Sequence, residues 1–142
     1  MADKRQWDVI VALYGRVEQE LTDSLRRQHG LGLSEYRALA QLATARDGEL
    51  RIQELAAAIG LNQSSVSRLV VRLENGGLTR RALCPNDRRG VYSVITDLGR
   101  AQVDAAEPTY RETLTAALDK AAAEPDLAGV VYAVRDIAKA AP

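Results

Sequence analysis

The chain has 142 residues, of which 46% are hydrophobic and 27% charged, and its basic and acidic side chains balance to a net charge of zero. This length and composition are typical of a globular protein with one domain, or of a small domain with extensions. A single cysteine, Cys84, and a single histidine, His29, exclude an intrachain disulfide and a histidine-based metal site. We therefore expect no metal and no cofactor. Neither a signal-type segment nor an apolar run of the roughly 18 residues that span a bilayer is visible, so we expect a cytoplasmic protein without membrane partners.

Two helices are predicted at the start of the chain. Apolar residues recur in steps of three and four between Trp7 and Leu25, which predicts a helix from about Lys4 to His29. Gly30 and its neighbours end this helix. Ser34 is a favourable N-cap for a second helix that reaches about Arg46.

The middle of the chain predicts a short strand and two more helices. The strand covers Leu50–Ile52, and a third helix follows over Gln53–Ile59 without a serine or threonine cap. Gly60 breaks that helix. Asn62 is then a good N-cap for a fourth helix over 63–75.

A β-hairpin with a polar tip follows the fourth helix. Runs of strand character cover Leu78–Leu83 and Val91–Ile95, and residues 84–90 between them are mostly polar. The hairpin tip is therefore expected to be a loop exposed to solvent.

The last part of the chain predicts two helices that, with the first, favour self-association. Thr96 caps a long helix reaching about Ala122, which we expect Pro108 to interrupt, and Pro125 suits the first turn of the final helix. The first helix and these last two each carry an apolar stripe, and so short a chain offers few surfaces to cover them. A homodimer is the simplest partner. The alternative is that these helices pack on the middle domain of the same chain.

The positive charge of the chain is localised. Between Leu61 and Ile95 there are six arginines and two acidic residues, a net charge of +4, so the rest of the chain carries −4. Because only the face that meets phosphate needs to be positive, this distribution favours nucleic-acid binding despite the neutral total.

The segment Glu54–Val70 has the pattern of a helix-turn-helix. Ala56 is small where two helices cross, and Gly60 permits the turn. The apolar residues expected to form the seam between the helices are Leu55, Ile59, Leu61, Val66 and Leu69. Polar side chains on the second helix then suit base edges and phosphates of DNA. The predicted DNA-contacting residues of this helix are Gln63, Ser64, Ser65, Ser67, Arg68 and Arg72. The alternative is an ordinary helical hairpin with a polar outer face.

The arginine-rich hairpin beside this helix favours DNA binding further. Arg80 and Arg81 are candidates for phosphate contacts that carry no sequence information. At the tip, Asp87 can hold one guanidinium in place while Arg88 or Arg89 enters a narrow minor groove. The alternative for the tip arginines is a solvated turn.

Together these residues resemble the MarR family of bacterial winged-helix regulators. The resemblance is carried by the Glu54-Leu55-Ala56 opening, by the helix around Arg68, and by Gly77-Leu78-x-x-Arg81. The segment from Pro85 to Gly99 matches the wing signature of the family. Two positions depart from the family pattern: Cys84 stands where aspartate is frequent, and the third helix lacks a hydroxyl residue near its start.

The resemblance implies a mainly α fold with a small β-hairpin wing, in which residues 34–96 form a winged helix-turn-helix DNA-binding domain. Residues 1–33 and 97–142 would supply the helices of a dimerisation region. The fourth helix would enter the major groove and the wing an adjacent minor groove, with Asp87 and Arg89 matching the paired wing residues of the family. A small phenolic or anionic effector commonly releases the DNA.

Four aromatic residues are candidates for an effector pocket, because rings with polar tips suit phenolic ligands. They are Trp7, Tyr14, Tyr36 and Tyr110, and each is equally consistent with a core or interface position. Cys84, among arginines, is consistent either with a redox switch or with a small residue in a turn.

The sequence favours a DNA-binding regulator, a repressor that binds a pseudo-palindrome as a homodimer, over three other classes of protein. A winged-helix module that binds an acidic protein surface and an architectural DNA-binding protein indifferent to sequence remain as alternatives. An enzyme is disfavoured, because no nucleophile motif or glycine-rich phosphate loop occurs in the chain.

Overall fold

A computed structural model describes the backbone of residues 1–84 and 87–140, and the side chains of residues 1–83 and 90–137. Its helices are α1 (Ala2–His29), α2 (Leu33–Thr44), α3 (Ile52–Ile59), α4 (Gln63–Asn75), α5 (Asp97–Ala122) and α6 (Pro125–Ala140). Its strands are β1 (Glu49–Arg51), β2 (Thr79–Cys84) and β3 (Asp87–Ile95), and a short 3₁₀ turn, Arg46–Gly48, precedes β1.

The chain divides into two compact units. One comprises Met1–Gln28 with Thr109–Pro142, and the other is the continuous segment His29–Pro108. The mainly α fold with a small sheet that the sequence predicts is confirmed. The division into residues 34–96 and two flanking segments stays a prediction.

In the first unit, α1 is tied to the C-terminal part of the chain by ion pairs. Arg16 pairs with Glu124, and Lys120 Nζ donates to Glu20 Oε1 at 3.0 Å. The buried apolar side chains of this unit are Leu13, Val17, Leu21, Leu25, Ala117, Leu118, Ala121, Leu127 and Val131. Because these ion pairs are partly exposed, the apolar side chains provide most of the stability of the unit.

In the second unit, α2, α3 and α4 pack with a three-stranded antiparallel sheet of order β1-β3-β2. The central strand β3 pairs Ser93 with Arg81 of β2 and with Leu50 of β1. The fully buried large side chains of α2, α3 and α4 are Leu39, Leu42, Leu55, Val66, Leu69, Val70 and Leu73. This small core therefore holds α4 against α3 and β2.

Two predictions about the helices are wrong, one about the cap of α2 and one about an interruption of α5. The cap of α2 is Gly32 and not Ser34, because Glu35 Oε1 accepts a hydrogen bond of 3.2 Å from the Gly32 backbone nitrogen and the helix begins at Leu33. Helix α5 also continues through Pro108 instead of breaking there. The proline deprives the Asp104 carbonyl of its usual donor, but Asp104 is exposed, so water can replace that donor.

The predicted cap of α5 is confirmed. Thr96 Oγ1 accepts a hydrogen bond of 3.0 Å from the Gly99 backbone nitrogen and donates one of 2.7 Å to the Gly77 carbonyl oxygen. One hydroxyl thereby starts α5 and fixes the turn that follows α4. Within the described ranges, no helix is long and apolar enough to cross a membrane.

Candidate nucleic-acid interface

The turn between α3 and α4 has the geometry of a helix-turn-helix. Gly60 has φ 71°, a left-handed conformation that costs other residues steric strain, and the Leu61 nitrogen donates to the Ala56 carbonyl at 3.1 Å. Asn62 then caps α4, as predicted, through its side-chain oxygen. The turn is therefore set by one glycine and one asparagine.

Most of the predicted seam between the two helices is buried, but Ile59 is only half-buried and Leu61, in the turn, is 37% exposed, so the prediction is wrong for Leu61. Leu55 and Ala56 of α3 and Val66 and Leu69 of α4 are each at most 7% exposed. Burying this face leaves the opposite face of α4 in solvent, because α4 is amphipathic with a period of about 3.6 residues.

The exposed face of α4 carries most of the predicted DNA-contacting side chains. Gln63, Ser64, Ser67, Arg68 and Arg72 are exposed, whereas Ser65 is only half-buried and lies at the edge. The structure thus places five of the six residues on one surface, and their role as DNA contacts stays a prediction.

The two exposed serines of α4 already have acceptors for their hydroxyl protons. Ser64 Oγ donates to Asn62 Oδ1 at 3.0 Å, and Ser67 Oγ donates to the Gln63 carbonyl at 2.9 Å. A hydroxyl that donates within the protein still offers its lone pairs. In this arrangement the serines suit the amino groups of adenine or cytosine better than phosphates, which only accept hydrogen bonds.

Val71 also lies on the exposed face of α4 and was not among the predicted residues. Its side chain is 43% exposed, although the adjacent Val70 is 1% exposed. The sequence did carry a signal, since Val71 follows Ser67 by four residues and Arg68 by three. An exposed valine on such a face suits the methyl group of thymine.

The two arginines of β2 have different surroundings. Their cross-strand partners differ, Val94 for Arg80 and Ser93 for Arg81, and neighbouring side chains in a strand point to opposite faces. Arg81 Nε donates to Glu74 Oε1 at 2.6 Å. Arg80 is exposed, and the side chains that the structure describes provide it with no hydrogen bond or ion pair.

The predicted contacts at the wing tip lie outside the side chains that the structure describes. Asp87, Arg88 and Arg89 belong to the backbone of β3, which therefore begins four residues before the strand that the sequence predicts. Pro85 and Asn86 lie outside the described residues altogether. The roles assigned to the tip arginines and to Asp87 stay predictions.

A cleft of about 410 Å³ lies between α4 and the sheet. Its polar lining includes Gln63 and Ser67 of α4, Arg81 of β2, and Arg51. The guanidinium carbon of Arg51 lies 5.6 Å from the centre of the Tyr92 ring. Arg51 Nε also donates a hydrogen bond of 3.3 Å to the Tyr92 hydroxyl. Sequence reasoning missed Arg51 and Tyr92, because the pairing of β1 with β3 that joins them has no local sequence signal.

The four aromatic candidates for an effector pocket do not lie in one unit. Tyr36 is buried in the second unit, whereas Trp7, Tyr14 and Tyr110 belong to the first. Trp7 is 64% and Tyr14 62% exposed. Their assignment to an effector site stays a prediction.

A helix-turn-helix turns the polar face of α4 outward, and an arginine-bearing hairpin flanks that face. These features define the class of the protein as winged helix-turn-helix. Within that class, residues 29–90 match the model of the MarR family. The proteins of this family are transcriptional regulators and not enzymes, and the resemblance noted in the sequence is confirmed.

Comparisons with individual proteins agree with this family. The chain is 29% identical over 93 residues to the uncharacterised HTH-type transcriptional regulator YkoM of Bacillus subtilis, a match over 66% of this chain. The match spans 58% of the length of YkoM, little more than half of that protein.

Solved structures of two regulators from Streptomyces coelicolor are similar over almost the whole chain. Sco3205, a MarR family transcriptional regulator solved in complex with DNA, has a TM-score of 0.79 at 26% identity, over 98% of this chain and 87% of that one. AbsC, another MarR family regulator, has a TM-score of 0.78 at 25% identity, over 97% of this chain and 93% of that one. The winged-helix fold is thereby confirmed.

Proposed function

We propose that the protein is a transcriptional repressor that binds a pseudo-palindromic operator in double-stranded DNA as a homodimer and is released by a small effector. Such a regulator would work in the cytoplasm, where bacterial DNA lies. Helix α4 would enter the major groove of each half-site, and the half-sites would lie about one helical turn, roughly 34 Å, apart.

One observation carries the DNA-binding part of this proposal. Apart from Val71, the exposed side chains of α4 are polar or basic, and the acidic residue of the helix, Glu74, is engaged by Arg81. A recognition helix needs such a face, because bases are read by hydrogen bonds and phosphates attract guanidinium groups. That Sco3205 was solved in complex with DNA supports the same role for this chain.

The first unit supports the homodimer. The apolar stripe of α1 is buried in its second half, where Leu21 and Leu25 are 0% exposed. In its first half the same stripe is exposed, since Trp7 and Tyr14 are 64% and 62% exposed. An apolar stripe that is half covered within the chain favours a partner that covers the rest.

Repression and release by an effector rest on the family resemblance. An effector can release DNA only if it binds the DNA-free conformation more tightly than the DNA-bound one. A phenolic carboxylate such as salicylate is a suitable first probe, because it combines an aromatic ring with an anion.

The proposal is tested by incubating the purified protein with the fragmented genome of its host at near-physiological salt and sequencing the retained DNA. We expect a few fragments that share an inverted repeat. Uniform retention would favour an architectural protein, and no retention would favour a protein-interaction module. The enriched duplex then serves for affinity measurements, in which log affinity should fall against log salt with a slope of roughly −0.9 per neutralised phosphate.

A further inference from the structure

We propose that Glu74 is a positioning residue for DNA binding, which holds the Arg81 guanidinium so that its terminal nitrogens stay free for a phosphate of the DNA backbone. This inference rests on the proposed function. It goes further by assigning an acidic residue to the interface, where a negative charge alone would oppose the binding of DNA.

The ion pair uses one edge of the guanidinium. Arg81 Nε donates to Glu74 Oε1 at 2.6 Å, across the turn that joins α4 to β2. A guanidinium has five N–H donors, and four of them lie on the terminal nitrogens Nη1 and Nη2. Among the side chains that the structure describes, Glu74 is the one partner of Arg81, so the terminal nitrogens remain available.

The surroundings place this free edge beside the predicted recognition helix. Arg81 lines the cleft next to α4 together with Gln63 and Ser67, which lie on the exposed face of that helix. Strand alternation directs Arg80 to the opposite face of β2. Arg81 is therefore the arginine of β2 that can act together with α4, and paired terminal N–H groups match the oxygens of a phosphate.

Burial distinguishes the two members of the pair. The Glu74 side chain is 24% exposed, whereas that of Arg81 is 53% exposed. The carboxylate is thus the more buried group and the guanidinium the more accessible one. A free arginine loses rotamer freedom when it binds a phosphate, and an arginine already held at Nε loses less.

A positioning role for Glu74 predicts a change in DNA affinity opposite in direction to the change that its charge alone would cause. If Glu74 acted only through its charge, removing it would strengthen the binding of DNA, because phosphates are negative. If it positions Arg81, removing it weakens binding although the protein becomes more positive. The direction of the change therefore separates the two roles.

The test measures the dissociation constant for the duplex enriched in the genomic selection, over a series of salt concentrations. Glu74→Ala should bind about five- to tenfold more weakly than the wild type, and Arg81→Ala about tenfold more weakly. Glu74→Ala in the Arg81→Ala background should cause no further loss, since the group that it positions is gone. Glu74→Gln keeps an oxygen that can accept from Nε, and should restore affinity to within about threefold of the wild type.

Asp104→Ala is the matched control. Asp104 is an exposed acid of the same unit, and the described side chains provide it with no ion-pair partner. Its removal deletes one negative charge without releasing a guanidinium, so affinity should be unchanged or slightly higher. Thermal unfolding of each variant checks that a loss of affinity is not a loss of folded protein.

Three results would overturn the positioning role: a Glu74→Ala protein that binds as tightly as the wild type or more tightly, losses that multiply in the double variant, or full affinity in Arg81→Lys. The lysine variant keeps the charge but has neither Nε nor the planar fork, and it replaces Glu74→Ala as the test if that protein does not fold. A wild-type protein that retains no duplex would contradict the proposed function instead, so the two failures are distinguishable.

Discussion

The side-chain oxygen Oδ1 of Asn62 accepts a hydrogen bond of 2.8 Å from the backbone nitrogen of Ser65, in the first turn of α4. The same oxygen accepts from Ser64 Oγ at 3.0 Å. The first N–H groups of a helix have no acceptor inside the helix, so this contact supplies one that the helix lacks. It also fixes the end of α4 from which the predicted contacts with bases begin.

Replacing this cap should destabilise the protein without removing an apolar contact. We expect Asn62→Ala to lower the free energy of unfolding by about 1 kcal/mol, because one N–H of the first turn loses its acceptor. Asn62→Asp retains the acceptor and should stay close to the wild type. Urea denaturation at a fixed protein concentration measures both, and equal stability of Asn62→Ala and wild type would contradict the role of the cap.

Gly99 in the first turn of α5 should not tolerate a side chain. A Cβ at this position would meet the carbonyl oxygen of Leu78 and lie 2.8 Å from Ile95 Cγ1. Gly99→Ala should therefore lower the free energy of unfolding by about 1–3 kcal/mol.

The matched control for Gly99 is a glycine in another helix. At Gly129 in α6, a Cβ would have no atom within 4 Å, so Gly129→Ala should raise the free energy of unfolding by up to about 1 kcal/mol. Thermal unfolding distinguishes the two signs. Similar effects at both positions would show that the close approach at Gly99 is relaxed at little cost.

The exposed half of the α1 stripe should be required for self-association. A carboxylate in Tyr14→Glu would have to be desolvated in an apolar interface, so we expect the dimer to dissociate at least about tenfold more readily. Arg5→Gln makes the same change of charge on the opposite face of α1 and should leave the dimer intact. Light scattering over a dilution series measures the mass of each variant, and a monomeric wild type would refute the dimer itself.

Loss of a wing arginine should weaken DNA binding. We expect Arg89→Ala to reduce affinity for the enriched duplex by about tenfold, because a guanidinium in a narrow minor groove gains from its negative potential. Glu49→Ala, on the sheet away from the tip, should have no comparable effect. Equal affinities of Arg89→Ala and wild type, in a fluorescence anisotropy titration, would remove Arg89 from the interface.

The helix-turn-helix was predictable because its signals are local. Asn62 and Gly60 act within a few residues of their own position, and the bounds of α4 agree with those that the sequence predicts. The cap of α2 was wrong for a reason that is also local. Glu35 satisfies the backbone nitrogen of Gly32, and this contact competes with a cap at Ser34.

The sequence by itself determined most of the side chains that α4 turns outward, because a helical period and a buried seam assign one face to solvent, although Val71 on that face was overlooked. The sequence could not show which of Arg80 and Arg81 faces α4. That assignment depends on the register of β2 against β3, which places each arginine on one face of the sheet. The pairing of Arg51 with Tyr92 and of Arg81 with Glu74 likewise required the tertiary structure. Such contacts join residues from different elements. Whether these residues meet depends on strand pairing or on the course of a turn, and many different sequences share the same pairing or turn.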